Sequence, residues 1–264
     1  MPLLTHDGVE IHWTERGDPG ASGAPLVLVH GLFLSSKMFE RLASELEHRW
    51  IILVDVRGHG RSTELYDPAA YSWAELVGDV HAIVDRLDLD DVVVGGTSLG
   101  ADVALMYGVA HPERTAGLII EMPVLFESEG FANAVFGPAA TALSLGAPIL
   151  GPVMHAIGRL PAPRVPEVMM LRDVLSRDPR SFAAVLRGLL QSEQPNPAAL
   201  ATITAPTLVI GHHNDRLHAI ADAHHLARDI NVCELVESPS FLHYRLHVGE
   251  LATLFDDFLD RHSL

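Results

Sequence analysis

Residues 91–110 read DVVVGGTSLGADVALMYGVA: a β-branched apolar run, a serine flanked by glycines, then an apolar stretch of helical length. Gly96-Thr97-Ser98-Leu99-Gly100 fits the pattern G-x-S-x-G, and what precedes and follows it gives the pattern meaning. A serine held on a sharp strand-to-helix turn has strained backbone angles. The neighbouring chain also passes so close that the residues two before and two after must be small. Gly96 and Gly100 meet that need. Such a turn lifts the Ser98 oxygen above the sheet, at a helix N-terminus whose dipole and unpaired N–H groups favour developing negative charge. Ala142-Leu143-Ser144-Leu145-Gly146 repeats most of the letters with no strand before it, so it lacks this context. A phosphate-binding loop is disfavoured, because no Gly-Lys-Ser/Thr follows and no G-x-G-x-x-G is present.

Outward from this turn, short buried runs alternate with helical stretches. Strands are expected at 25–30, 50–54, 91–95, 117–121, 206–211 and 232–237, and residues 9–15 alternate as a half-exposed antiparallel edge strand would. Helices are expected at about 37–48, 73–88, 99–110, 218–229 and 246–260. The pattern predicts an α/β fold, a mainly parallel central sheet flanked by helices. Alternation stops after Glu121 and resumes at Pro206, a gap too long for a loop in a compact domain. We expect a core formed by 1–122 and 201–264, with 123–200 inserted as a helical cap over the strand C-terminal ends, where open α/β sheets bind ligands. Residues 131–158 contain no Asp, Glu, Lys or Arg. Pro138, Pro148 and Pro152 there predict two or three short helices rather than a membrane span.

Two more strand ends carry marked sequences: His30-Gly31-Leu32-Phe33 after LVLVH, and Asp55-Val56-Arg57-Gly58-His59-Gly60-Arg61-Ser62 after IILV. With the serine turn, these motifs resemble the α/β-hydrolase fold superfamily, specifically its small cap-bearing serine hydrolases and esterases. The resemblance covers residues 9–122 and 200–260. It implies Ser98 as nucleophile and an oxyanion hole from the backbone N–H groups of Leu32 and Leu99, with Phe33 as a nearby alternative. The Asp55–Ser62 stretch is implied to be a structural brace, and His30 to orient the oxyanion loop.

A serine hydroxyl needs a base, and the base an orienting acid. Asp215 follows the strand PTLVIG where relatives place the acid, one residue later than usual, as if Asn214 were inserted; Glu121 is the rival. For the base, His243 stands four residues after Pro239, a spacing common among relatives, although Leu242 occupies the place of their usual glycine. His247 is the alternative. His212, His213, His218, His224 and His225 match no compact metal-ligand motif, and most of them are expected to be surface or supporting residues.

The implied function is hydrolysis of a carboxylic ester or related acyl bond through an acyl-enzyme, with no cofactor and no metal. Met154, Met169 and Met170 in the insertion favour a small, flexible, largely apolar substrate. Dehalogenases and epoxide hydrolases need Asp where Ser98 stands, and carbon–carbon bond hydrolases usually extend the first motif with Gly-Pro-Gly, absent from HGLFLSS. Haloperoxidase-like activity without a cofactor shares the whole constellation, and a small-molecule receptor could keep the same site without turnover.

The 264 residues carry 34 acidic against 18 basic side chains, a formal charge of −16. That field repels phosphate backbones and anionic lipid, which argues against nucleic-acid and membrane partners and leaves self-association as a homo-oligomer open. A lone cysteine, Cys233, and no basic-then-apolar N-terminal run point to a cytoplasmic protein.

Overall fold

The computed structural model describes residues 2–161, 166–193, 195–240 and 242–264. In chain order the elements are β1 (Leu3–His6), β2 (Val9–Gly17), β3 (Leu26–Val29), α1 (Glu40–Glu45), β4 (Trp50–Asp55), α2 (Trp73–Arg86), β5 (Val92–Thr97), α3 (Leu99–Ala110) and β6 (Thr115–Glu121). Then follow α4 (Phe126–Gly158), α5 (Pro166–Leu175), α6 (Pro179–Gln191), α7 (Pro197–Leu200), β7 (Thr207–His212), α8 (Ile220–Asp229), β8 (Cys233–Ser238), α9 (His243–Leu246) and α10 (Val248–Arg261).

The strands form one sheet in the order β1-β2-β4-β3-β5-β6-β7-β8, parallel from β4 through β8 and antiparallel at β1 and β2. Alternate residues of each central strand feed two cores, because successive strand side chains point to opposite faces. Val27, Val29, Val92 and Val94 pack with Val80, Ile83, Val103 and Leu226 from α2, α3 and α8. Leu26, Leu28 and Val93 pack with Leu42, Phe255 and Phe258 from α1 and α10. Burial on both faces is why these strands read as unbroken apolar runs.

Two expectations need correction. β2 is antiparallel but is not the edge: β1 pairs outside it, joined by Asp7-Gly8, both with positive φ (46° and 80°). An Asp-Gly pair at those angles is a two-residue hairpin turn. The uncharged stretch forms a single 33-residue helix, α4, instead of two or three short ones. Its buried or half-buried positions recur at Ala132, Phe136, Ala140, Leu143, Ala147, Gly151 and Met154, one stripe at three- and four-residue spacing, while Pro138, Pro148 and Pro152 are all exposed. The ring crowding and missing N–H groups therefore fall on the solvent face, and packing of the stripe against α6 holds the helix through them. By length and composition α4 could cross a membrane.

The α4 to α7 stretch is tied to the core at its start and again along α6. Asp222 on α8 caps α4 from outside, its carboxylate accepting from the N–H groups of Leu125, Glu127 and Ser128 at 3.1, 2.9 and 3.1 Å. Gly188 on α6 lies so close to the 3₁₀ turn before α2 that a Cβ there would sit 2.3 Å from the Pro68 carbonyl oxygen.

Candidate active site

Ser98 sits between β5 and α3 with φ 55° and ψ −118°, a strained conformation for a residue with a side chain. Its N–H donates to the Glu121 carbonyl at 2.8 Å, which helps fix the turn. A Cβ on Gly96 would lie 2.4 Å from the Gly100 carbonyl carbon, and one on Gly100 would lie 1.9 Å from the Val29 oxygen. Neither position can carry a side chain, as the sequence pattern requires.

The side chain that reaches Ser98 is His218. Its Nε2 lies 2.9 Å from Ser98 Oγ, and its Nδ1 lies 2.7 Å from Asp215 Oδ2. Asp215 Oδ1 meanwhile accepts from the backbone N–H groups of Leu217 and His218 at 2.9 and 3.1 Å. One carboxylate thus shapes the turn after β7 and holds the imidazole three residues on. Burial would raise the Asp215 pKa, but the bonds and charge from His218 and the two N–H donors bring it down to about 2. With Nδ1–H donating to this carboxylate, Nε2 faces Ser98 with a lone pair. The turn is also tied to α4, since the Ala219 N–H donates to Ser128 Oγ at 2.8 Å.

Asp215 therefore stands where the sequence places an acid, and Asn214 takes up the extra residue in a left-handed conformation, φ 61°. His243 does not reach Ser98. Its Nε2 bonds Glu250 Oε2 at 2.9 Å, its ring packs on His247 and Tyr244, and neither His243 nor His247 lines the cavity at Ser98. The reason is helical phase. With no glycine before His243, the chain turns directly into α9, and two residues along a helix rotate direction by about 200°. Arg245 consequently faces Thr97 and Glu121, and His243 faces α10.

Glu121 is occupied elsewhere. It accepts from Thr97 Oγ1 at 2.5 Å and from Arg245, and His212 Nε2 is 3.3 Å away. Burial pushes its pKa up, but Arg245, His212 and Thr97 together hold it at about 2. The remaining histidines of that region are apart from Ser98: His213 and His224 bond the two oxygens of Glu237 at 2.8 and 2.9 Å, and His225 packs near Phe126.

The marked loops brace the site. Asp55 accepts from the Ser36 and Arg61 N–H groups at 2.7 and 3.0 Å, and Ser62 Oγ donates to the Asp55 carbonyl at 2.5 Å. His30 Nδ1 donates to the Gly31 carbonyl at 2.8 Å and its Nε2 accepts from Val56 N–H at 3.3 Å, fixing the segment that carries Leu32. Leu32 and Leu99 border the cavity at Ser98, and the Leu99 N–H, in the first turn of α3, has no acceptor within the helix. Phe33, at φ 63°, turns its ring onto Phe182 of α6, 4.3 Å between centroids.

A cavity of about 330 Å³ opens over Ser98, mainly apolar, with Trp73, Met122, Phe136 and Leu186 in its wall and Arg245 and Glu129 at polar points. Phe136 and Leu186 come from α4 and α6, so the helices between β6 and β7 form part of the enclosure. Met154 is not in that wall, and the side chains of Met169 and Met170 lie outside the described residues.

Residues 24–141 match the family model of the alpha/beta hydrolase fold. The enol-lactonase from Burkholderia xenovorans LB400 superimposes with a TM-score of 0.80 over 98% of this chain and 100% of that one, at 22% identity. The chain has the α/β-hydrolase fold. Among its relatives, a protein of Mycobacterium phage D29 named as a non-heme haloperoxidase is 29% identical over 193 residues, 72% of this chain and 66% of that protein's length. A monoacylglycerol lipase from Mycolicibacterium smegmatis is 27% identical over 235 residues, 79% of this chain and 75% of the lipase.

Proposed function

We propose that this α/β-hydrolase cleaves a carboxylic ester or related acyl bond of a small, largely apolar substrate through an acyl-enzyme. The observation that carries the reading is the continuous hydrogen-bonded line Ser98 Oγ, His218 Nε2, His218 Nδ1, Asp215 Oδ2 at 2.9 and 2.7 Å, opening into an apolar cavity. Ser98 Oγ attacks the carbonyl carbon while His218 Nε2 takes its proton. The imidazolium so formed is stabilised by Asp215, and the proton passes to the leaving oxygen as the acyl–oxygen bond breaks. Water then attacks the acyl-enzyme, with His218 again as base. The N–H groups of Leu32 and Leu99 receive the oxyanion, and the positive end of α3 adds to their effect. Residues 123–200 act as the cap over 1–122 and 201–264, and α4 and α6 select for apolar acyl or alcohol groups.

The base thus comes from the loop that also supplies the acid, not from the loop after the last strand. A fluorophosphonate probe followed by peptide mass spectrometry tests the assignment: one adduct per chain on Ser98 is expected, because only an activated serine beside oxyanion donors reacts fast. Labelling of Ser62 or Ser144 with Ser98 untouched would overturn it.

A further inference from the structure

His243 and His247, which the proposed chemistry leaves unused, meet Glu250 at the corner where α9 passes into α10. One ligand-competent atom from each of the three lies within 4.8 Å of the other two. The corner is a kink, not a continuous helix: His247 has φ −118° and ψ 60°, between the end of α9 and the start of α10. That kink gathers residues spaced four and three apart onto one outward side.

We propose that His243, His247 and Glu250 bind one divalent transition-metal ion of the zinc class. Three features support it. The His247 Nδ1–H donates to the His243 carbonyl at 3.0 Å, which fixes the ring and leaves Nε2 with a free lone pair, the orientation that metal-binding histidines take from a backbone carbonyl. His243 Nε2 and Glu250 Oε2 are already 2.9 Å apart, each the other's partner, so an ion entering between them replaces a hydrogen bond rather than breaking a core contact. Tetrahedral ligands at zinc distances stand about 3.4 Å apart, so an ion draws together atoms that already lie within 4.8 Å of one another. Two imidazoles and one carboxylate suit Zn²⁺, Ni²⁺ or Cu²⁺; Mg²⁺ and Ca²⁺ demand six or more oxygens. The fourth position goes to water.

The position gives the ion a structural consequence. α9 carries Arg245, which reaches Glu121 and Thr97 beside the nucleophile, and Tyr244, which packs edge-on against His212 with ring centroids 6.1 Å apart. An ion bridging α9 to the first turn of α10 pins this four-residue helix at its outer side.

Calorimetric titration of the metal-stripped full chain with ZnCl₂ tests the site, with thermal unfolding as a second readout. The tightest site should hold one Zn²⁺ per chain and raise Tm with Zn²⁺ concentration. His247→Ala and Glu250→Gln, both at exposed positions, should each weaken that site by about tenfold or more. His224→Ala, where His213 and His224 share Glu237, and His218→Ala should leave it unchanged. Absence of a saturable site, equal binding by all four variants, or loss in His224→Ala or His218→Ala instead would overturn the proposal.

Discussion

Lowering the pH from 7 to 5 should destabilise the protein through His59. This residue is 2% exposed; its Nδ1–H donates to the Arg57 carbonyl at 3.0 Å, and its Nε2 is buried with no hydrogen-bond partner. Protonation would bury a charge and an unpaired N–H. Burial, and the neighbouring His30 and Arg177, push its pKa down to about 3, against the opposing pull of the Arg57 carbonyl and Asp55. The ordinary histidine value is near 6.5, so below that pH the unfolded chain binds a proton that the folded one refuses. Stability from this group is complete above 6.5 and declines as pH falls toward 3. At pH 5 the gap of about 1.5 pH units from 6.5 costs about 2 kcal/mol. Asp215 and Glu121, both near 2, stay ionised through this interval and do not offset the loss. His59→Gln keeps a donor for Arg57 and cannot titrate. Urea unfolding at pH 7 and pH 5 should show the variant losing about 2 kcal/mol less than the wild type across the interval. Equal losses would refute the reasoning.

Two further expectations concern the loops around the nucleophile. Asp215→Asn can still accept from the Leu217 and His218 N–H groups, so the fold should survive by circular dichroism. Its amide turns the wrong hydrogen-bonding face to His218 Nδ1, and kcat for a short-chain p-nitrophenyl ester should fall about 10⁴-fold. Asp222→Ala strips the acceptor from three backbone N–H groups at the start of α4 and should cost about 2–4 kcal/mol by urea unfolding, with hydrogen exchange rising first at residues 125–128.

What could be read in the sequence is what local sterics dictate. The central strands are apolar on both faces, and the serine turn demands glycine at two fixed offsets because Val29 and Gly100 approach it within bonding-like distances of any added Cβ. The position of Asp215 after β7 was legible even with the extra residue at Asn214. The approach of His218 to Ser98 was not, because it depends on a turn that Asp215 builds with its own carboxylate; the signal was there as Asp215-x-x-His218, a turn-forming acid with an imidazole three residues on. His243 misled because its spacing from Pro239 says nothing about helical phase, and α9 turns Arg245, not His243, to the nucleophile side. β1 carried its signal in Asp7-Gly8 but offered only four residues of strand. The single helix α4 defied its prolines because all three face solvent, and its cap, Asp222, lies on an element 90-odd residues away.

The choice of base decides the account, and paired kinetics on two variants measure it most directly. With kcat/KM for a short-chain p-nitrophenyl ester as readout, His218→Ala should fall about as far as Ser98→Ala, since a nucleophile and its base act as one unit. His243→Ala should stay within about tenfold of the wild type, because its imidazole bonds Glu250 and not Ser98. Near-wild-type activity in His218→Ala, with His243→Ala as inactive as Ser98→Ala, would contradict the account.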